Sequence, residues 1–436
     1  MINNIPEDIS KWSMWVSISL FCIACGSQAN AAAADNENRS KFIEVGTSYE
    51  YSDNIYKLSN NEKSGNTALI DLELGYKQQQ ASNNIALNYY TEYAKDIDND
   101  QPDSSYWIGS SSISQQLFTE KLLFNLAHTR QRYLINESKP KLDENQSERD
   151  LLDLGLQWSI PYSSRTTFIL GLTHTEAWFN NSNSSDSNTN EGKISWQYTL
   201  NEKSNVQLSY FGSENRFDDF DNTYTKQKLD ARFSSKYRLG NYSINTGQTW
   251  VDGSSPNDTY SGMHYGLTID TLIRRHLFVL SASREQSNSS QQIGESTELD
   301  FSENQLFWRT QISLSHQYTM LDDRLVSNIR LYFNNNDVIE TINGTDARDT
   351  NKYGAYGQLV WSITEKLSSS LSADYYESEL STGSSKIYSQ AEIYARYNII
   401  DSLYIQCSAA FEKQRDIQGS PGYEEQHYTT RIAFRY

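Results

Sequence analysis

From Lys41 onward apolar and polar residues alternate with a period of two, the signature of half-buried β-strands. In "FIEVGTSYEY", Ile43, Val45, Thr47, Tyr49 and Tyr51 form one row and Glu44, Gly46, Ser48, Glu50 and Ser52 the other. "TALIDLELGYK" repeats the pattern, with Ala68, Ile70, Leu72, Leu74 and Tyr76 set against Asp71, Glu73, Gly75 and Lys77. It recurs at Leu152, Leu154, Leu156, Trp158 and Ile160, at Ile194, Trp196, Tyr198 and Leu200, and on through "SLYIQCSAAF". The alternation is weakest over 104–118 and 275–286, where serines or apolar residues fill both rows.

Connections between the segments alternate in length. Short ones such as "FTEK" (118–121), "NEKS" (201–204) and "TEK" (364–366) separate longer polar ones such as "KDIDNDQPDSS" and "NNSNSSDSNTNEG". The spacing predicts about ten hairpins, or about 20 strands (between 18 and 20). A sheet of that size must close or split, and a soluble sandwich has no reason to alternate short and long loops. The predicted fold is all-β: a transmembrane antiparallel up-and-down β-barrel with apolar residues outward, polar residues inward, short periplasmic turns and long outer loops.

Composition agrees with that architecture. The chain has 436 residues, 30 of them Tyr and 9 Trp but only 6 Pro. Its mean hydropathy of -0.69 would suit a disordered chain, but an aromatic content of 13% does not. Outward aromatics gather beside short turns, at Tyr76, Trp158, Tyr198, Tyr237, Tyr318, Trp361 and Tyr397, as a headgroup-level girdle requires. The net charge of -18 argues against a nucleic-acid partner.

The first residues read as an export signal over 1–34, leaving 35–436 as the barrel. "WSMWVSISLFCIAC" is an apolar run and Ala29-Asn30-Ala31 a cleavage site; "CIAC" offers lipidation at Cys25 as a variant, although Cys22 stands where Leu is usual. Cleavage leaves one cysteine, Cys407, on an apolar row, so no internal disulfide is expected. The expected location is the outer membrane of a Gram-negative bacterium. Its partners there are lipid, lipopolysaccharide and the barrel assembly machinery.

The closing "YTTRIAFRY" is a strand, with Tyr428, Thr430, Ile432, Phe434 and Tyr436 toward lipid and Arg431 and Arg435 toward the lumen. It is expected to pair with the first strand near Ile43–Tyr51. Tyr428, Ile432, Phe434 and Tyr436 together are similar to the signal read by the outer-membrane assembly machinery.

"SYEYSDNIYKL", through Tyr51, Asp53, Asn54 and Tyr56, resembles the first strand of the β-barrel porins found with bacterial exopolysaccharide and protein-sorting gene clusters. The resemblance implies an outer-membrane barrel linked to export of a surface polysaccharide, with polysaccharide-export components as partners. It supplies no catalytic or ligand residues.

Little in the sequence points to an enzyme, a cofactor or a metal. The six histidines are dispersed, with no zinc spacing, and there is no Walker motif. Ser315 and His316 would be the pair for a barrel hydrolase, but strand neighbours point to opposite faces. Asp96, Asp98 and Asp100 begin like a calcium loop, yet Gln101 replaces the required Gly and Trp107 the final Glu. "FDDFDN" (217–222) is similarly acidic, and a solvated loop accounts for both.

The polar rows are therefore the candidate working surface. Inward acids are Glu44, Glu50, Asp71, Glu73, Glu92, Asp153, Asp230, Asp270, Asp374, Glu392 and Glu412. Inward bases include Lys77, Lys228, Arg232, Lys236, Arg309, Arg330, Arg396, Arg431 and Arg435, joined by Tyr90, Tyr332, Tyr376, Tyr388, Tyr394 and Tyr404. Two functions fit: a passive hydrophilic conduit for exopolysaccharide or small solutes, or a structural or adhesive barrel working through its acidic loops.

Overall fold

The computed structural model describes residues 39–60, 62–98, 102–118, 121–134, 146–180, 186–218, 222–253, 259–288, 305–321, 323–341, 349–381, 385–416 and 422–436. The expected export segment 1–34, with Cys22 and Cys25, lies outside them. So do Asp100 and residues 219–221 of "FDDFDN".

Twenty strands form one antiparallel sheet. They are β1 (Arg39–Ser52), β2 (Gly65–Gln79), β3 (Asn83–Asp96), β4 (Ser104–Leu117), β5 (Leu122–Leu134), β6 (Gln146–Pro161), β7 (Thr166–Phe179), β8 (Ser187–Asn201), β9 (Ser204–Phe217) and β10 (Asn222–Tyr237). The second half comprises β11 (Gly240–Asp252), β12 (Thr259–Ile273), β13 (His276–Asn288), β14 (Gln305–Met320), β15 (Leu325–Thr341), β16 (Thr350–Ser362), β17 (Leu367–Leu380), β18 (Ser385–Ile400), β19 (Leu403–Asp416) and β20 (Tyr423–Arg435). Each strand pairs with its sequence neighbours, and β20 returns to β1, pairing Arg435 with Glu44 and His427 with Ser52. Closure leaves no open edge, so the ladder is satisfied without water, the condition for spanning lipid. Twenty strands tilted about 40° give a backbone diameter of roughly 40 Å.

The two rows keep their identities over most of the ring, although inward Phe217, Tyr224 and Val251 gather with Leu306 in a buried apolar cluster. Outward Val45 is 50% exposed while its neighbour Glu44 is 4% exposed. The exterior is apolar: Ile70, Leu172, Ile194, Leu229, Met263, Leu331, Leu371 and Ile393 are all exposed. Aromatic pairs gather on it at the short-turn end, with Trp196 and Tyr198 stacked at 5.9 Å and His276 and Tyr318 at 4.2 Å. The two weakly alternating segments are strands. In β4 serines fill both rows, and Gly109 adopts φ 150°, where a Cβ would collide with the Asn88 carbonyl. In β13, Leu277 and Val279 lie on the row of Gln317 and Ser315, so apolar residues occupy the inward face there.

Strands of 13 to 17 residues rise roughly 33–43 Å at that tilt, more than the ~25 Å apolar band of such barrels. The excess is at the long-loop end, where outward rows turn polar: Gln426 and Glu424 on β20, Glu377 and Glu379 on β17, Asn335 and Asp337 on β15.

Candidate transport lumen

The seam between β1 and β20 carries the densest inward cluster. Arg431 pairs with Asp71 and, at 2.9 Å, with Glu44. Tyr404 accepts from Arg431 and donates to Glu44 at 2.5 Å. Gly46 lies beneath this bridge: a Cβ there would stand 2.5 Å from Asp71 Oδ1 and 2.7 Å from Arg431 Nε. The glycine is what lets β20 reach across β1 to β2. Arg435, on the same row, stacks over Phe42 at 3.8 Å.

The other inward residues also make contacts along the wall. Glu50 lies 3.3 Å from His427, and Glu92 accepts from Tyr90. Glu73 sits opposite Glu44 and Tyr90. Asp153 accepts from Thr175, Asp230 contacts His264 at 2.8 Å, and Asp270 accepts from Asn241. Arg232 donates to Ser243, Arg309 is opposite Glu285 and Asn336, and Arg330 lies over the rings of Tyr332 and Tyr356. Arg396 stacks on Tyr404 at 3.6 Å and Tyr376 on Tyr388 at 4.9 Å. Tyr394 donates to Gln406, and Glu392 is opposite Ser372 and Ala410; Asp374 is opposite Tyr356 and Gln390.

Cations gather on one part of this wall. Lys226, Lys228, Arg232 and Lys236 share the inward row of β10, interrupted by Asp230, with Lys193 nearby on β8. Lys193 and Lys228 flank the Phe211 ring at 5.1 and 5.6 Å. Most of the inward acids named above stand on β1–β3 and β17–β20, where Lys77, Arg396, Arg431 and Arg435 share the inward rows with them.

The first long loop enters the mouth, a placement that nothing in the sequence suggested. Asp53 exchanges backbone and side-chain bonds with Gln426. The fully buried Asn54 donates to Leu58 O at 2.7 Å and Glu424 O at 2.9 Å, and its Oδ1 accepts from Leu58 N. Asp53 and Asn54 thus pin β1 to β20. Lys57 reaches the wall, 2.9 Å from Glu412 and 3.1 Å from Glu425. Burial pushes its ammonium down, but the two carboxylates outweigh burial and hold it above the ordinary 10.5. A raised cation contributes fully below the unfolded value and is lost as pH rises through the folded one. Loop 1 is therefore expected to stay docked at neutral and mildly alkaline pH and to undock only above about 10.5, followed by a fluorophore attached at Tyr56→Cys. Lys57→Met should give the undocked signal already at neutral pH.

An outward polar chain was also missed. Tyr89 OH lies 2.6 Å from His128 Nδ1, and His128 Nε2 lies 3.1 Å from Asp150. Arg130 completes the chain, bonding Asp150 at 2.9 Å and Glu148 while stacking on Trp107 at 4.0 Å. The chain sits where the outward apolar rows of β5 (Leu122, Phe124, Leu126) and β6 (Trp158, Leu156, Leu154, Leu152) end. That shared break was legible.

Ser315 and His316 do not meet. Ser315 faces inward opposite Arg330, whereas His316 faces outward, 3.0 Å from His276 and stacked on Phe278. Asp98 accepts from the Asn66 backbone and side chain, and Asp96 accepts from Asp98 N, so both serve the turn. Among the described residues no group of three His, Cys, Asp or Glu side chains gathers to hold a metal. Cys407 faces outward beside Thr430. Tyr428, Ile432, Phe434 and Tyr436 are exposed at the seam, and Tyr436 exchanges backbone bonds with Ile43.

A closed, even-stranded barrel with an apolar exterior and short turns at one end is a protein of the Gram-negative outer membrane. No family model and no curated protein matches the chain. Solved barrels resemble it in fold. The FrpB iron transporter from Neisseria meningitidis has a TM-score of 0.49 and 7% identity, covering 92% of this chain and 83% of that one. The siderophore receptor PirA from Pseudomonas aeruginosa gives 0.42 and 12%, covering 90% and 80%. OccK2 from Pseudomonas aeruginosa, solved with glucuronate, gives 0.42 and 10%, covering 92% and 98%. At these identities the likeness is one of fold alone.

Proposed function

We propose that the barrel is a passive hydrophilic conduit whose solute is a polysaccharide of the exported surface class. The supporting observation is the inward wall itself: rows of hydroxyl, amide and mixed-charge side chains interleaved with tyrosines, in a ring roughly 40 Å across at the backbone. Polar groups already bonded to one another hold water without binding any one solute tightly, and phenol rings give sugars a flat face. Many weak contacts let a solute leave as readily as it enters. Any driving force comes from partner export components.

The test is current through the purified barrel in a planar bilayer. Steady ohmic current is expected, with the charge reversals Lys228→Glu and Arg232→Glu moving the reversal potential toward cations at about tenfold asymmetric salt. Folded barrels that insert but never conduct would overturn the conduit and return the structural or adhesive reading. Glycosyltransferase and polymerase genes beside this one would favour polysaccharide over general solute diffusion.

A further inference from the structure

The inward face of β17 is low. Ser368, Ser370 and Ser372 succeed one another on its row, while the strands on either side carry larger groups. The register sets Ser372 between Gln358 and Glu392, and Ser370 between Val360 and Tyr394. One tier up, Asp374 lies between Tyr356 and Gln390. A serine floor between taller walls makes a recess of about 370 Å³, within the range of small-molecule sites, about 300–1,000 Å³.

The chemistry of the recess is specific. Tyr356 and Tyr394 supply phenol rings from opposite walls, suited to the C–H faces of a sugar ring. Gln358, Gln390 and Ser372 can both donate and accept, and the carboxylates of Asp374 and Glu392 accept, which matches the hydroxyls of a pyranose. Among the described residues lining the recess there is no Lys or Arg. Arg330 lies over Tyr332 and Tyr356 on the far side of β16, and Arg396 is drawn down onto Tyr404. Two carboxylates without a lining cation favour neutral or amino sugars and disfavour uronates.

We propose that this recess is a saccharide subsite for a neutral or amino-substituted pyranose unit. The identity of its ligand as a segment of transported polymer rests on the conduit reading, but binding does not. The experiment is calorimetric titration of the full barrel in micelles with a glucosamine hexamer, maltohexaose and a galacturonate hexamer. The first two are expected to bind, and the third at least about tenfold more weakly. Tyr394→Leu and, independently, the floor-filling Ser370→Leu should each weaken both by about tenfold. Glu392→Gln should narrow the gap between maltohexaose and the galacturonate hexamer. Equal binding of all three oligomers, no binding of any, or binding indifferent to both Tyr394→Leu and Ser370→Leu would overturn the subsite. Conduction without such binding would sink the subsite and spare the conduit. Binding without conduction would do the reverse.

Discussion

Replacing Arg431 with Ala is expected to lower the stability of the closed barrel by about 3 kcal/mol, the low end for removing one partner of a buried ion pair. Arg431 is the cation between Asp71 and Glu44, whose side chains are 2% and 5% exposed. Without it two carboxylates face each other over Gly46, and Tyr404 loses its donor. Arg431 itself is 15% exposed and borders a wet lumen, so water recovers part of the loss. The measurement is the temperature at which the folded, fast-migrating form converts to the unfolded form in detergent electrophoresis. The triple change Arg431→Met, Asp71→Asn, Glu44→Gln removes the charges together and should restore most of the midpoint. An unchanged midpoint in Arg431→Ala would mean that the backbone ladder alone holds the seam. Gly46→Leu should cause a loss of the same order without touching a charge, because its side chain would occupy the space of the bridge.

The second large effect is expected on delivery to the membrane. Phe434→Ser with Tyr436→Ser should reduce the amount of folded barrel in cells severalfold, while the same protein refolded into detergent reaches the folded form. The two rings are exposed on the outward row beside β1 and would rest at headgroup level. In-register pairing there is made by the backbone, from Ile43 to Tyr436 in both directions at 3.0 and 2.8 Å, and survives the change. A loss confined to cells would assign the rings to recognition by the assembly machinery. Equal loss in cells and in detergent would assign them to stability, and heat-modifiable folding in cells at the wild-type level would refute both roles.

Where alternation was strict, strand and facing were both legible. In β1, Val45 and Glu44 differ by one position, yet one is half exposed and the other buried. In β4 the signal was weak because serine suits either face. Membership of the inward row was legible, but which members meet was not. Arg431 and Asp71 are 360 residues apart, and only closure of the ring brings them together. The docking of Lys57 had no periodic signal, since one amine in a polar loop resembles any other. The Asp53–Asn54 pair stood out in the sequence as a motif, and the structure gives it a mechanical task. The serine floor on β17 was readable as a run of small residues, but it becomes a recess only beside Tyr356 and Tyr394 on neighbouring strands.

The grip of the first loop on the last strands has a consequence for timing. Asp53 and Asn54 hold Gln426 and Glu424, and Lys57 holds Glu412 and Glu425. Those partners follow the loop by 355 to 373 residues, so they are made long after it. Until β19 and β20 arrive, the loop has nothing to hold, and Glu44 and Asp71 wait without Arg431. A partly synthesised or truncated chain can form hairpins but cannot satisfy this junction. Completion of the junction therefore depends on segments from both halves of the chain at once.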